Sequence, residues 1–214
     1  MGGKLSGYPF FAMLSRMKYI NRWGLMRNTR SENIQEHSQQ VAVIAHALAL
    51  IRNRYFGGGL DAGRAALLAL FHDCDEIMTG DLPTPVKYFN ESILSAYREV
   101  ETAAKDRLLS MLPSELRPDY EDLLNKNREN DADIWLIIKA ADTICAYIKC
   151  LEELAGGNSE FETAARTTRS KLDGMGLPEV NKFMDDYIGA FSLSLDEFGI
   201  LPDGSRKSER QGQE

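Results

Sequence analysis

The sequence predicts an all-α, single-domain helical bundle, and three observations carry that reading. Apolar residues recur at three- and four-residue spacing along most of the chain, β-branched alternating runs are few, and no Asn-Gly or Asp-Gly pair joins two such runs as a hairpin would. With 214 residues the chain exceeds a common ~100–150-residue domain but falls short of two, and no internal repeat is visible. Hydrophobic residues make up 43% and charged residues 27%, enough apolar material for a core that needs no staples.

The elements follow in order. Residues 1–9 are expected to be a flexible segment, and the domain to span 10–200. A first helix is predicted from Phe10 to Ile20. The stretch Asn21 to Arg30 is irregular and mixes three Arg with Trp23, which reads as a functional loop. Asn33 followed by Glu36 is an N-cap signature for a long helix to about Arg54, stopped by Gly57-Gly58-Gly59. Asp61 is expected to cap a helix that runs to about Met78 and stops at Gly80. In Asp81-Leu82-Pro83-Thr84-Pro85 the two prolines exclude regular helix and stiffen an extended turn. Further helices are predicted over Asn90–Met111, Pro113–Lys126, Ala132–Ala155 and Pro178–Phe198. Residues 203–214 carry charge without an apolar anchor and read as a disordered polar tail.

Charge and cysteine usage narrow the function classes. Twenty-five Lys and Arg against 32 Asp and Glu give a net charge of −7, which argues against a nucleic-acid polymer as partner. No apolar run approaches the ~20 residues of a membrane span and the N-terminus lacks a secretory block, so a cytoplasmic protein without membrane contact is expected. The opening Met1-Gly2-Gly3-Lys4-Leu5-Ser6 fits a degenerate acylation pattern that is read as chance. Cys74, Cys145 and Cys150 form no C-x-x-C pair, and the acidic neighbours of Cys74 oppose a reactive thiolate.

The three His are the informative residues. His37 shares its helix face with Val41, Ile44, Leu48 and Ile51, so it points to the core, whereas His46 lies half a turn away. His72-Asp73 stands late in an apolar helix, with Glu76 four residues on and on the same face. Asp142 stands in the apolar run Ile137-Ile138-Lys139-Ala140-Ala141. Buried charges need partners or a metal. Two His and two Asp make a mixed nitrogen–oxygen set suited to Co²⁺, Mn²⁺, Fe²⁺ or Zn²⁺, with coordination positions left for water and substrate. Such an ion activates water and polarises a phosphoryl oxygen while Glu76 handles protons, so phosphate-ester hydrolysis is the matching chemistry. By spacing alone, a metal-free cluster of hydrogen-bonded polar residues stands beside this reading.

Longer stretches go beyond spacing. His37, His72-Asp73 and Asp142 follow the H…HD…D order of the HD-domain phosphohydrolases. Ile20-Asn21-Arg22-Trp23, Glu36-His37-Ser38, the run Thr79 to Phe89 and the run Cys145 to Leu154 resemble the bacterial HD-domain 5'-deoxynucleotidases, with similarity from Phe11 to about Glu197. The resemblance implies an HD-domain bundle that forms a homodimer and uses a divalent metal, cobalt foremost, to remove phosphate from 2'-deoxyribonucleoside 5'-monophosphates. It places the metal on His37, His72, Asp73 and Asp142 and makes Glu76 the catalytic carboxylate. Arg22 orients the phosphate and Trp23 discriminates the sugar. Asp81, Leu82, Pro83 and Thr84 contact the nucleotide, as do His37, Asp73 and Asp142. Lys87 is open between a site role and a turn role. Asp75 replaces a less charged residue, and both termini are extended. Guanosine polyphosphate hydrolysis is disfavoured by Ile77 in place of an acid, and a noncatalytic nucleotide-sensing module by the complete ligand set with Glu76.

Overall fold

Two long helices decide the architecture of the computed structural model, which describes residues 7–124 and 129–198. Helix α2, Ile34–Tyr55, begins where the Asn33 side chain accepts hydrogen bonds from the amides of Gln35 and Glu36. This satisfies two of the donors that a helix start leaves open. Helix α8, Ala132–Ala155, has the bounds read from its apolar run. Around them lie α1 (Phe10–Leu14), α3 (Ala62–Phe71), α4 (Glu76–Thr79), α5 (Thr84–Lys87), α6 (Glu91–Leu109), α7 (Arg117–Leu124), α9 (Glu162–Asp173) and α10 (Pro178–Asp186). Among the described residues there is no strand, only an isolated antiparallel bridge between Asn21 and Asn33.

The core forms where α2 packs on α3, α8 and α10, and α8 on α9. Val41, Ile44, Leu48 and Ile51 are buried as their spacing predicts, against Leu68, Ile137 and Ile144. Each such side chain contributes roughly 1.5–3 kcal/mol, so Leu48→Ala costs about 2–5 kcal/mol once its cavity is included. A second cluster of Phe10, Met17, Ile34, Cys74, Ile77 and Leu108 packs the first turns and α6 around the segment after α3. That cluster holds the His72–Glu76 segment from behind.

Several elements differ from expectation. The predicted helix from Asp61 to Met78 is interrupted: α3 ends at Phe71, four residues form tight turns, and α4 begins at Glu76. The amides of His72, Cys74 and Glu76 reach back three residues, to the carbonyls of Ala69, Phe71 and Asp73 at 3.4, 3.2 and 3.0 Å. That 3₁₀ geometry turns ~120° per residue, so Glu76 does not stack over His72 as an α-helix would place it. The 81–85 turn is extended only to Pro83. Thr84 starts one turn of helix, because proline is tolerated in a first turn whose amides need no partner. Helix α7 starts four residues after Pro113, and α10 stops at Asp186, followed by a 3₁₀ turn over Ile188–Ser192. Residues Ser15–Tyr19 of the first predicted helix are also 3₁₀. Helix α9 is absent from the sequence expectation altogether. The expected polar tail, residues 203–214, and most of the expected flexible 1–9 lie outside the described residues.

Candidate active site

The loop before α2 is closed at its base by main-chain bonds. Arg22 N–H donates to the Glu32 carbonyl at 2.9 Å and Ile34 N–H to the Ile20 carbonyl at 3.0 Å. Trp23 sits at the corner with φ +60°, a left-handed conformation that a bulky residue adopts only when its surroundings impose it. Three contacts impose it. Its amide donates to Asp81 Oδ2 at 3.2 Å, its indole N–H donates to Glu32 Oε2 at 2.9 Å, and its ring lies on Phe161 with centroids 5.4 Å apart. The far side of the loop is pinned to α8. Glu153, buried, accepts from the Thr29 amide and hydroxyl, the Arg30 amide, Asn158 and Lys149.

Four elements deliver the predicted site residues to one place. His37 Nε2 lies 3.0 Å from Asp142 Oδ1 and 3.8 Å from Asp73 Oδ2. His72 Nε2 lies 3.0 Å from Asp73 Oδ2. One ligand atom each of His37, His72 and Asp73 falls within 4.8 Å of the others, the size of a metal coordination sphere. The end of α3 orients His72: Nδ1 sits 2.7 Å from the Ala69 carbonyl, which can only accept, so Nδ1 carries a proton and Nε2 is turned toward the cluster. His46 is exposed, as its helical angle predicts.

The charge balance also favours a cation. Glu32, Asp73, Glu76, Asp81 and Asp142 converge around Arg22, whose guanidinium lies 3.1 Å from Glu32, 3.6 Å from Asp73 and 4.0 Å from Asp142. Burial alone would loosen the Arg22 proton, but Asp142, Glu32, Asp73 and Asp81 more than offset it. Burial likewise opposes a charged Asp142, yet His37 against it holds its carboxyl down at about 2. Asp142 also faces the cavity, with 40% of its side chain open. Burial pushes Glu76 up to about 9, with Asp73, Asp81 and Asp75 adding repulsion. Burial raises Asp81 as well. Both ring nitrogens of His37 are buried without a hydrogen bond of good geometry, and the donors are the imidazole and carboxylate types a divalent transition ion prefers. The residues present therefore fit such an ion.

A cavity of about 610 Å³, within the range of small-molecule sites, is lined by Asp142 of this cluster and by Arg22. Arg22, Trp23, Asp142 and the turn residues Asp81, Leu82, Pro83 and Thr84 line it together. Thr163, Ala164, Thr167, Thr168 and Lys171 of α9 line it too. Lys87 takes the turn role: its ammonium donates to Glu101 at 2.9 Å over the Tyr97 ring and fastens α5 to α6. Asp75 is buried with Lys105 3.7 Å away, on the side of α6. The cysteines are free and buried, and burial pushes the Cys150 thiol to about 11 and Cys145 well above its usual range. Sequence reasoning missed Glu32, which accepts from both Arg22 and Trp23, and the α9 wall.

Comparison with known proteins places this arrangement. The profile described as 5'-deoxynucleotidase YfbR-like matches residues 9–191. The chain is 51% identical over 195 residues to the 5'-deoxynucleotidase yfbR of Photorhabdus temperata, covering 91% of this chain and 98% of that protein. It is 52% identical over 188 residues to the 5'-deoxynucleotidase YfbR of Escherichia coli, covering 88% and 94%. Among solved structures, an HD-domain phosphohydrolase from Listeria innocua superposes with a TM-score of 0.72 at 22% identity, over 85% of this chain and 87% of that one. The HD phosphohydrolase DatZ of cyanophage S-2L, bound to dA and one catalytic Zn²⁺ ion, superposes at 0.54 with 19% identity, over 85% and 95%. These two share the fold, and the chain belongs to the YfbR-like 5'-deoxynucleotidase family.

Proposed function

We propose that the protein is a metal-dependent 5'-deoxynucleotidase that converts 2'-deoxyribonucleoside 5'-monophosphates to deoxynucleosides and phosphate. The observation that carries this reading is the meeting of His37, His72, Asp73 and Asp142 beside a nucleotide-sized cavity that Asp142 and the buried Arg22 line. His37, His72, Asp73 and Asp142 would hold one divalent cation, cobalt foremost, with manganese, zinc and iron as alternatives. When bound, the ion supplies Lewis-acid polarisation of the phosphate and a water of lowered pKa.

The chain's own residues do the rest. Arg22, kept charged by its carboxylate neighbours, orients and neutralises the phosphate. Glu76, buried beside the cluster with one oxygen unpartnered, would take the proton of the attacking water once a bound cation favours its ionised form. Trp23 fills the space beside the sugar C2' and excludes a 2'-hydroxyl. Asp81, Leu82, Pro83 and Thr84 form the wall along which the nucleoside lies. The catalytic unit spans residues 10–200, with 1–9 and 203–214 outside it. We further propose a homodimer in the cytoplasm that binds neither nucleic-acid polymers nor membranes; no helix among the described residues is long and apolar enough to cross a bilayer.

Phosphate release from the deoxynucleoside monophosphates with added Co²⁺ tests the assignment. Turnover that a chelator abolishes is the expected result. Tight nucleotide binding with no turnover under any divalent metal would make the protein a sensing module instead.

A further inference from the structure

We infer that Tyr97 and Glu101 of α6 are positioning residues for the substrate, holding the 81–84 turn at both of its ends from outside the cavity. The inference rests on the deoxynucleotidase reading, in which that turn contacts the nucleotide, and it assigns the groups that keep the turn in place. Thr79 closes α4 two residues before Asp81, and Lys87 closes α5 three residues after Thr84. On the cavity side the turn is fastened by the Trp23 amide, which donates to Asp81 at 3.2 Å.

Both outer fastenings come from one stripe of α6. Tyr97 and Glu101 are spaced i, i+4, so they stand one above the other on the helix face. Thr79 directs its own hydroxyl proton to the Gly80 carbonyl at 3.0 Å and receives the Tyr97 O–H at 3.2 Å. These bonds hold the peptide at which the chain leaves α4, where Gly80 has φ +73°, a conformation that a side chain would resist. Burial raises the Tyr97 hydroxyl, so at neutral pH it keeps the proton it donates. At the other end the Lys87 ammonium donates to Glu101 at 2.9 Å and lies 4.6 Å from the centre of the Tyr97 ring, which joins the two fastenings. Burial opposes a charged Lys87, and the bond to Glu101 more than offsets it. What this stripe contributes is position rather than burial. The buried residues of α6 are Ala104, Leu108 and Leu109, all beyond Glu101 toward its C-terminal end, while Tyr97 and Glu101 are only half-buried. Contacts of that kind add little to stability, whereas a displaced binding wall weakens substrate positioning directly.

The test is the kinetics of cobalt-loaded wild type, Tyr97→Phe, Glu101→Gln, Lys87→Met and their pairwise combinations on dAMP, with inorganic phosphate as a competing ligand. Tyr97→Phe and Glu101→Gln should each raise KM roughly two- to tenfold by loss of one hydrogen bond, with kcat unchanged. The inhibition constant of phosphate should stay at the wild-type value, because phosphate meets Arg22 and not the turn. Lys87→Met combined with Glu101→Gln should be no worse than either alone, since all three proteins lack the same bond. Wild-type KM in the Tyr97→Phe, Glu101→Gln double variant would overturn the inference, as would phosphate weakened to the same degree as dAMP. Effects of Lys87→Met and Glu101→Gln that multiply would do so too. A loss of kcat at constant KM with a lowered Tm marks a smaller folded fraction, and it would reduce both residues to a structural role. Wild-type protein inert toward every deoxynucleotide would instead overturn the reading beneath, and the positioning role with it.

Discussion

The indole N–H of Trp23 and the Nε–H of Arg22 both donate to the same oxygen of Glu32, at 2.9 and 3.1 Å. One carboxylate therefore sets the orientation of the group proposed to hold the phosphate and of the ring proposed to judge the sugar. Removing it releases both. Glu32→Ala should lower kcat/KM for dAMP by at least tenfold and narrow the preference for dAMP over AMP, with metal content unchanged. Parallel kinetics on dAMP and AMP with metal analysis checks this; an unchanged preference would show that Trp23 is held by its other contacts alone.

The ring itself is tested by Trp23→Ala. Wild type should favour dAMP over AMP by at least tenfold, since burying an unpaired 2'-hydroxyl costs about 1–3 kcal/mol before any clash is added. The variant should admit AMP and bind dAMP less well, having lost packing surface. Equal wild-type rates on both nucleotides remove Trp23 from the role of selector.

Metal content separates the buried histidines from the exposed one. His72→Ala and Asp142→Ala should strip the ion and His46→Ala should retain it, as read by elemental mass spectrometry. Metal at a hundredfold excess over its Kd should stabilise wild type by ~2.7 kcal/mol, an upward Tm shift of about 5–10 °C for a chain of this size. A Tm indifferent to chelator and to added Co²⁺ would count against the centre.

Glu76→Gln should keep metal and nucleotide but lose turnover by ~10²–10⁴-fold, the usual contribution of a proton-transfer group. Loss of metal along with activity would instead make Glu76 a ligand.

The clamp behind the loop predicts a pH dependence. Burial opposes a charged Glu153, but hydrogen bonds from Lys149, Asn158 and Thr29 hold its carboxyl well below the ordinary 4.5. The folded state therefore binds this proton less readily than the unfolded state. The stabilisation is present above pH ~4.5 and is lost as pH falls toward the depressed folded value. Glu153→Gln leaves the Lys149 ammonium buried without its counter-charge and should cost about 3–5 kcal/mol at neutral pH. Its Tm should also fall less steeply than that of wild type between pH 5 and 3. Superimposable pH profiles would show that the clamp contributes no linkage.

What was legible in the sequence was periodic or capped. The apolar stripe of α2 oriented His37, α8 has the expected bounds Ala132–Ala155, and the side chains of Asn33 and Asp61 cap helices as expected. The interruption after Phe71 was hidden because the apolar pattern continues unbroken to Ile77; three-residue hydrogen bonds and packing against α6 make the break. Helix α9 was hidden for the opposite reason. Only Ala165 and Leu172 of its residues are buried, so its stripe is too narrow to read beside Thr, Ser and Arg. Glu32 carried no signal at all, since its partners come from the loop it closes and from Trp23's place in space.

The left-handed backbone at Trp23 makes that position a gauge of selective pressure. Glycine would relieve a backbone cost of about 1–2 kcal/mol there, but it would give up the indole hydrogen bond to Glu32 and the packing on Phe161. Backbone and side chain thus pull this single residue in opposite directions. The strain is kept because the ring's contacts outweigh it, so smaller residues at position 23 should ease the backbone and still loosen the loop.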